Sequence, residues 1–110
     1  MPTELPGKDE LDLVANNLKP YIHRTPVMTS RLINEMTGND IFFKCDNFQK
    51  TGSFKIRGAM NAVLSLNNEQ KSKGVITHSS GNFAQALAYA ASQAGINAKI
   101  VMPETVVPAK

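Results

Sequence analysis

A lysine at the predicted junction of a turn and a helix is the residue of this chain best suited to covalent chemistry. Lys55 lies in the run QKTGSFKIRGA, residues 49–59. Its primary amine can form a Schiff base with an aldehyde cofactor. The flanking Phe54 and Ile56 indicate apolar surroundings, and burial favours the neutral, nucleophilic form of an amine. The alternative is a solvated surface lysine, which is the usual state of this residue type.

A second group of polar residues follows a predicted strand, in the run HSSGNFAQA, residues 78–86. Ser79 and Ser80 carry hydroxyl groups, and Gly81 allows the backbone to approach a ligand closely. Because the first turn of a helix has unpaired N–H groups and a partial positive charge, this junction suits an anion such as an amino-acid carboxylate. The alternative is that Ser80 or Asn82 only caps the helix that follows.

The elements that must position these residues alternate between helices and strands. Residues 1–9 are expected to be a disordered lead-in. Apolar spacing and caps predict helices over 10–19, from Thr29 or Ser30 to Glu35, from Ser53 as the cap to about Leu66, and over 82–94. Strands are predicted over 41–45, which reads as buried, over 74–78 and over 98–102. The strand–helix–strand order over 74–102 predicts a parallel βαβ unit, and the fold class is therefore α/β.

Composition narrows the class of protein. The 110 residues are 42% hydrophobic and 19% charged, with a formal net charge of +3. The basic residues are scattered, so we expect no nucleic-acid partner. No apolar run approaches the roughly 18 residues of a membrane span, so we expect no membrane partner either.

The few cysteines and histidines bear on compartment and metal binding. The single cysteine, Cys45, cannot form an internal disulfide, and the polar N-terminus lacks the apolar core of a secretory signal. The predicted compartment is therefore the cytoplasm. Cys45 is expected to be a core residue rather than a catalytic one. His23 and His78 are too few and too far apart in the sequence for a metal site on their own.

The two runs together resemble the serine/threonine dehydratase and serine racemase family of pyridoxal-phosphate enzymes, the fold-type II enzymes similar to the tryptophan synthase β chain. The run around Lys55 resembles the family's cofactor-lysine motif, and the run from Ser79 to Phe83 resembles its substrate-carboxylate loop. The resemblance implies that Lys55 binds pyridoxal 5′-phosphate and removes the substrate α-proton. It also implies that Phe54 lines the cofactor and that Asn82 contacts its 3′-oxygen.

Other positions distinguish members within this family. By resemblance, a serine at the position of Ser80 is the opposite-face acid of serine racemases, although some dehydratases also have it. Phe83 replaces a common histidine. Lys50, Thr51 and Gln85 match positions that contact a nucleotide activator in animal serine racemases, but an exposed turn and helix would explain these three polar residues equally well.

The resemblance also predicts organisation and activity. The family's chains are about three times as long, so we expect an N-terminal fragment of a two-lobed enzyme. Residues 1–66 would begin the large cofactor-binding lobe, 67–73 would be a linker, and 67–110 would begin the small lobe. The parent is expected to be a homo-oligomeric lyase that converts L-threonine or L-serine to a 2-oxo acid and ammonia. Serine racemase and a non-catalytic interaction module remain the alternatives.

Overall fold

The computed structural model describes residues 4–108, which form five α-helices, two short 3-10 turns and two pairs of strands. In chain order the elements are α1 (Lys8–Leu18), β1 (Val27–Met28), α2 (Arg31–Thr37), β2 (Phe43–Lys44), the 3-10 turns Asp46–Phe48 and Lys50–Gly52, α3 (Lys55–Leu64), α4 (Asn68–Lys73), β3 (Val75–His78), α5 (Asn82–Ala94) and β4 (Ala98–Val101).

The core lies mainly between α3 and α5, which pack against each other along their length. Both helices have apolar residues at helical spacing, so each turns one stripe towards its partner. Small residues on α5 allow a close approach of the two helices. The fully buried core side chains are Ile56, Ala59, Met60 and Val63 from α3, with Ala86, Ala90 and Ala91 from α5.

The predicted βαβ unit is confirmed. Strands β3 and β4 pair in parallel, with Val75 opposite Ala98 and His78 opposite Val101, and α5 connects them. Helix α5 has the predicted bounds, and it ends at Gly95, whose φ of 66° is the left-handed conformation that glycine favours at a helix end. The mixed α/β class therefore follows from the local pattern of the sequence.

Two predicted elements differ in the structure. The segment 41–45 contains only the two-residue strand β2. Phe42 and Phe43 are 69% and 41% exposed, because among residues 4–108 β2 pairs with β1 alone and no layer covers it. The predicted linker 67–73 is mostly helix α4. There the Asn67 side chain accepts from the Gln70 N–H while the Gln70 side chain accepts from the Asn67 N–H.

The N-terminal prediction is also revised. Helix α1 begins at Lys8, two residues earlier than predicted, and the Glu10 carboxylate accepts a hydrogen bond from the Gly7 N–H at its start. The predicted disorder of residues 1–9 is therefore wrong for Lys8 and Asp9, and its first three residues lie outside the described part of the chain. The division into lobes at residue 66 stays a prediction.

Several large apolar side chains are exposed. They include Phe48 and Phe54 before and at the start of α3, and Ile76 and Val101 on the parallel strands. Parallel strands are normally covered on both faces, so a two-stranded parallel pair with exposed apolar residues presents a surface suited to packing against further chain. None of the helices within residues 4–108 combines the length and the apolar character needed to cross a membrane.

Candidate active site

Lys55 is the first residue of α3, as the sequence predicts for the turn-to-helix junction. Its side chain is exposed, and its Nζ atom lies 5.0 Å from the centroid of the Phe54 ring. The prediction that Lys55 has apolar surroundings is therefore wrong for the described residues 4–108, apart from the Phe54 ring. The reason is helical geometry: Ile56 points into the core, and its neighbour Lys55 lies about 100° around the helix from it.

The turn before Lys55 has an unusual backbone. Thr51 has a φ of 63°, a left-handed conformation that costs a β-branched residue roughly 1–3 kcal/mol. Its Oγ1 atom is buried without a hydrogen-bond partner among the described residues, and so is Oγ of Ser53. Ser53 is extended and is not the helix cap that the sequence predicts. Phe54 occupies the cap position instead and makes no side-chain cap bond.

An ion pair that the sequence did not reveal joins α3 to the loop of residues 46–54, which leads to Lys55. The Arg57 guanidinium donates from Nε to Asp46 Oδ2 at 2.7 Å and from an Nη atom to Asp46 Oδ1 at 2.9 Å. Thr25, which is 4% exposed, donates from its hydroxyl to Asp46 Oδ1 at 2.6 Å. The hydrogen bonds from Arg57 hold the pKa of Asp46 at about 2, against a usual value of 3.8, although partial burial opposes them. The same contact raises the pKa of Arg57.

A buried glutamine makes a second long-range contact of this loop. Gln49 is 4% exposed, and its carboxamide pairs with the backbone of His23: the His23 N–H donates to Oε1 at 2.8 Å, and Nε2 donates to the His23 carbonyl at 2.7 Å. The Lys50 N–H also donates to Oε1, at 2.9 Å. The distant partners of Gln49 (His23) and of Asp46 (Thr25 and Arg57) lie 11 to 26 residues away along the chain, so no local spacing could have indicated them.

The low pKa of Asp46 predicts how stability depends on pH. Because the folded-state pKa lies below the unfolded value, the unfolded chain binds the proton first. The contribution is therefore complete above about pH 4 and is lost as the pH falls from 3.8 towards 2. The difference corresponds to about 2 kcal/mol. Urea unfolding at pH 6 and pH 2.5 measures it, and Asp46→Asn should lose most of this acid-dependent part. An equal loss in the wild type and in Asp46→Asn would contradict the assignment.

The loop after β3 adopts the predicted strand-to-helix geometry. Ser79 is held by its N–H, which donates to the Val101 carbonyl at 3.0 Å. Its Oγ accepts hydrogen bonds from the N–H groups of Gly81 and Ala84, at 3.3 and 3.2 Å. Ser79, and not Ser80 or Asn82, therefore supplies the side-chain cap of α5, and its lone pairs are occupied by the protein.

The helix start keeps free donors next to this cap. Within residues 4–108 the backbone N–H groups of Asn82 and Phe83 donate to no protein acceptor. Ser80 and Gly81 are half-buried, whereas the Asn82 and Phe83 side chains are exposed. The arrangement leaves two N–H groups and the Ser80 hydroxyl for an anion at the positive end of α5.

The three residues predicted to contact a nucleotide lie on adjoining elements. The turn Lys50–Gly52 packs against α5, and Lys50 Nζ lies 5.6 Å from the ring centroid of Tyr89, one turn along α5 from the exposed Gln85. The backbone strain at Thr51 belongs to this same turn. The runs that contain Lys55 and Ser80 thus belong to one pair of packed helices, α3 and α5.

Cys45 is half-buried, and its Sγ lies 3.4 Å from the Phe43 carbonyl oxygen, to which it donates. In the described range, 4–108, His, Cys, Asp and Glu side chains form no group of three that could hold a metal ion.

Comparisons with known proteins identify the family of this chain. Residues 18–110 match the family model described as pyridoxal-phosphate dependent enzyme. A β-hydroxyaspartate dehydratase from Paracoccus denitrificans is 50% identical over 106 residues, which cover 96% of this chain and 34% of that protein. A solved structure of maize serine racemase aligns with a TM-score of 0.85 and 52% identity over 91% of this chain and 30% of that one.

A third relative is a threonine deaminase. The processed form of threonine deaminase isoform 2 from Solanum lycopersicum aligns with a TM-score of 0.76 and 30% identity, over 97% of this chain and 34% of that structure. The chain therefore spans about a third of the length of the relatives that it matches. The family match extends over most of the chain and includes both predicted motifs. This chain belongs to the pyridoxal-phosphate dependent enzymes of fold type II, the family that contains the serine racemases and the hydroxyamino-acid dehydratases.

Proposed function

We propose that the full-length protein is a pyridoxal-phosphate dependent dehydratase that converts L-threonine or L-serine to a 2-oxo acid and ammonia. The observation that carries the proposal is the exposed Lys55 amine beside the Phe54 ring, at the start of a helix that packs against α5 and its anion-suited N-terminus. The names of the relatives support the substrate class. β-Hydroxyaspartate, serine and threonine are all α-amino acids with a β-hydroxyl group.

The side chains present fit the cofactor. An accessible primary amine is the group that an aldehyde requires, and the adjacent aromatic ring of Phe54 offers an apolar surface to a planar heterocycle. The exposed Asn82 amide is a suitable partner for the cofactor's phenolic 3′-oxygen. Lys55, Phe54 and Asn82 are therefore the residues of this chain that we assign to pyridoxal phosphate, which supplies an electron-withdrawing ring for negative charge at the substrate Cα.

The residues at the starts of α5 and α3 are assigned to the substrate carboxylate and to the Cα proton. The free N–H groups of Asn82 and Phe83, with the Ser80 hydroxyl, bind the substrate carboxylate, and Ser79 and Gly81 hold these groups in place. The Lys55 amine accepts the proton from the substrate Cα. The β-hydroxyl then leaves as water, and hydrolysis releases ammonia and the 2-oxo acid. Phe83 contributes its backbone N–H, a role that does not depend on the side chain at this position.

Serine racemase is the second candidate, and Ser80 favours it. The hydroxyl of Ser80 is half-buried at the start of α5 and is not the group that caps the helix. It is therefore available as a proton donor on the opposite side of the substrate from Lys55. Lys50, Thr51 and Gln85 are the residues that we assign to a nucleotide activator, because the turn Lys50–Gly52 lies against the helix that bears Gln85.

An assay with pyridoxal phosphate separates these enzymes from a non-catalytic module. We expect the full-length protein to gain the visible absorbance of the lysine-bound cofactor and to release ammonia from L-serine, L-threonine or L-threo-β-hydroxyaspartate. L-Alanine is the control, because it has no β-hydroxyl to lose. Failure of the cofactor-loaded protein to convert any of the three, by either ammonia release or racemisation, would reject the enzyme proposal.

The 110-residue chain alone, tested in the same assay, is the comparison for the full-length protein. A phosphate with about two negative charges requires several convergent N–H donors, and we have assigned the free donors of α5 to the substrate carboxylate. We therefore expect weak cofactor binding and no measurable ammonia from this chain alone. Steady ammonia production by a sample with the correct intact mass would show that these residues suffice.

A further inference from the structure

The loop that leads to Lys55 is fastened at both ends by polar contacts to which the proposed function gives no role. Asp46 at its start and Arg57 just beyond its end form a two-point ion pair, with N–O distances of 2.7 and 2.9 Å. The Asp46 side chain is only 13% exposed. Paired guanidinium and carboxylate groups hold their relative orientation as well as their distance, so this contact fixes how the loop enters α3.

The segment before β1 makes further contacts with this ion pair and with the loop. The segment before β1 contributes the buried Thr25, whose hydroxyl donates to Asp46 at 2.6 Å and lies 3.4 Å from an Arg57 nitrogen. Lys44 donates to the Thr25 carbonyl at 2.7 Å. In the middle of the loop, the Gln49 carboxamide is paired with the His23 backbone. Both the ends and the middle of the loop are thus attached to the segment 23–25.

Residues 50–54, which lie between these contacts, have an unfavourable backbone conformation and unpaired hydroxyl groups. They include Thr51 in a left-handed conformation and the unpartnered hydroxyls of Thr51 and Ser53. A sparsely populated backbone conformation persists only where its surroundings determine it. The attachments therefore select one path for residues 50–54, and that path sets where Lys55 begins α3.

We propose that the Asp46–Arg57 pair, together with Thr25, is a positioning device for Lys55. This inference rests on the proposed role of Lys55 as the cofactor lysine. Arg57 follows Lys55 by two residues, so the two side chains leave α3 about 200° apart, and Arg57 acts through the backbone rather than by touching the reacting atoms. The pair remains charged at neutral pH, because the pKa of Asp46 lies at about 2.

The test compares two arginines in the full-length protein. Arg57→Met removes the positioning pair. Arg31→Met is the matched control, because Arg31 also lies in the first turn of a helix and pairs with a carboxylate, Glu35, but is largely exposed and far from the loop in sequence. We expect Arg57→Met to lower kcat by about tenfold to 100-fold with a smaller change in KM, since small misplacements of a reacting group have effects of this size. Arg31→Met should leave both constants unchanged.

Hydrogen exchange on the cofactor-free protein provides a readout that is independent of catalysis. In Arg57→Met the amides of residues 49–55 should exchange at least about tenfold faster, while those of the α5 core remain protected. Arg57→Lys should restore little, because an ammonium cannot reproduce the two-point contact. If Arg57→Met does not fold, Thr25→Val retains the ion pair, removes one hydroxyl, and should show smaller changes of the same kind.

The outcomes separate this inference from the proposed function. Unchanged kcat and unchanged exchange at residues 49–55 in Arg57→Met, or in Thr25→Val where that variant is needed, would overturn the positioning role. So would faster exchange spread uniformly over the whole protein, which indicates a purely structural role. If instead Lys55→Ala retains full turnover, the proposed function fails, whatever the exchange of the loop shows.

Discussion

Replacing Lys55 by alanine in the full-length protein should abolish turnover and the visible absorbance of the lysine-bound cofactor. The side chain is the only amine at the start of α3, and within residues 4–108 it forms no ion pair that would compete for it. Without the amine there is neither a covalent attachment nor the base that takes the α-proton. The loss should exceed the roughly 100-fold to 10,000-fold contribution of a general base, because two roles disappear together.

Borohydride reduction followed by peptide mapping measures the attachment directly. Lys8→Ala is the matched control: Lys8 is also an exposed lysine at the first residue of a helix, but it is paired with Asp12 and lies outside both motifs. We expect the label on Lys55 in the wild type and in Lys8→Ala. Label on another lysine, such as Lys50, would refute the assignment.

Replacing Ser80 by alanine should separate racemisation from elimination. If Ser80 is the acid on the face opposite Lys55, the variant should lose D-serine formation by about 100-fold or more. It should retain elimination from L-serine at least in part, because Lys55 alone handles the proton on that face. Chiral chromatography of the products, alongside an ammonia assay, gives both rates from one reaction.

Ser79→Ala is the control for this experiment. The Ser79 hydroxyl accepts the N–H groups of Gly81 and Ala84, so its removal should cost about 1 kcal/mol of stability and disturb the whole loop. We therefore expect Ser79→Ala to lower both activities together, in contrast to Ser80→Ala. A wild-type protein that makes no D-serine would end the racemase proposal, and equal losses of both activities in Ser80→Ala would end the specific role of its hydroxyl.

Several features of this protein are determined by short stretches of sequence. Helix α5 has its predicted bounds, and Gly38 and Gly95 end their helices in the left-handed conformation. The parallel βαβ unit and the position of Lys55 at a helix start also follow from the sequence. Apolar periodicity and helix-end residues act over a few neighbouring positions, so that one chain reveals them.

Local sequence also misled at several positions, and packing explains two of them. Ser53 has the residue type of a cap, yet its backbone is extended and the helix begins after Phe54. Phe42 and Phe43 look like a buried strand, but β2 pairs only with β1 among residues 4–108, and both side chains stay exposed. Residue type states a preference, and the surrounding elements decide whether it is met.

The sequence by itself thus determined the family, the parallel unit and the lysine at the helix start. Only the tertiary structure decided what surrounds that lysine. It showed the exposed amine, the left-handed turn at Thr51, and the contacts of Asp46 and Gln49 with partners far along the chain. The physical reason is that helix and strand patterns arise from contacts between neighbours in sequence. A buried ion pair or amide contact depends instead on where distant segments meet.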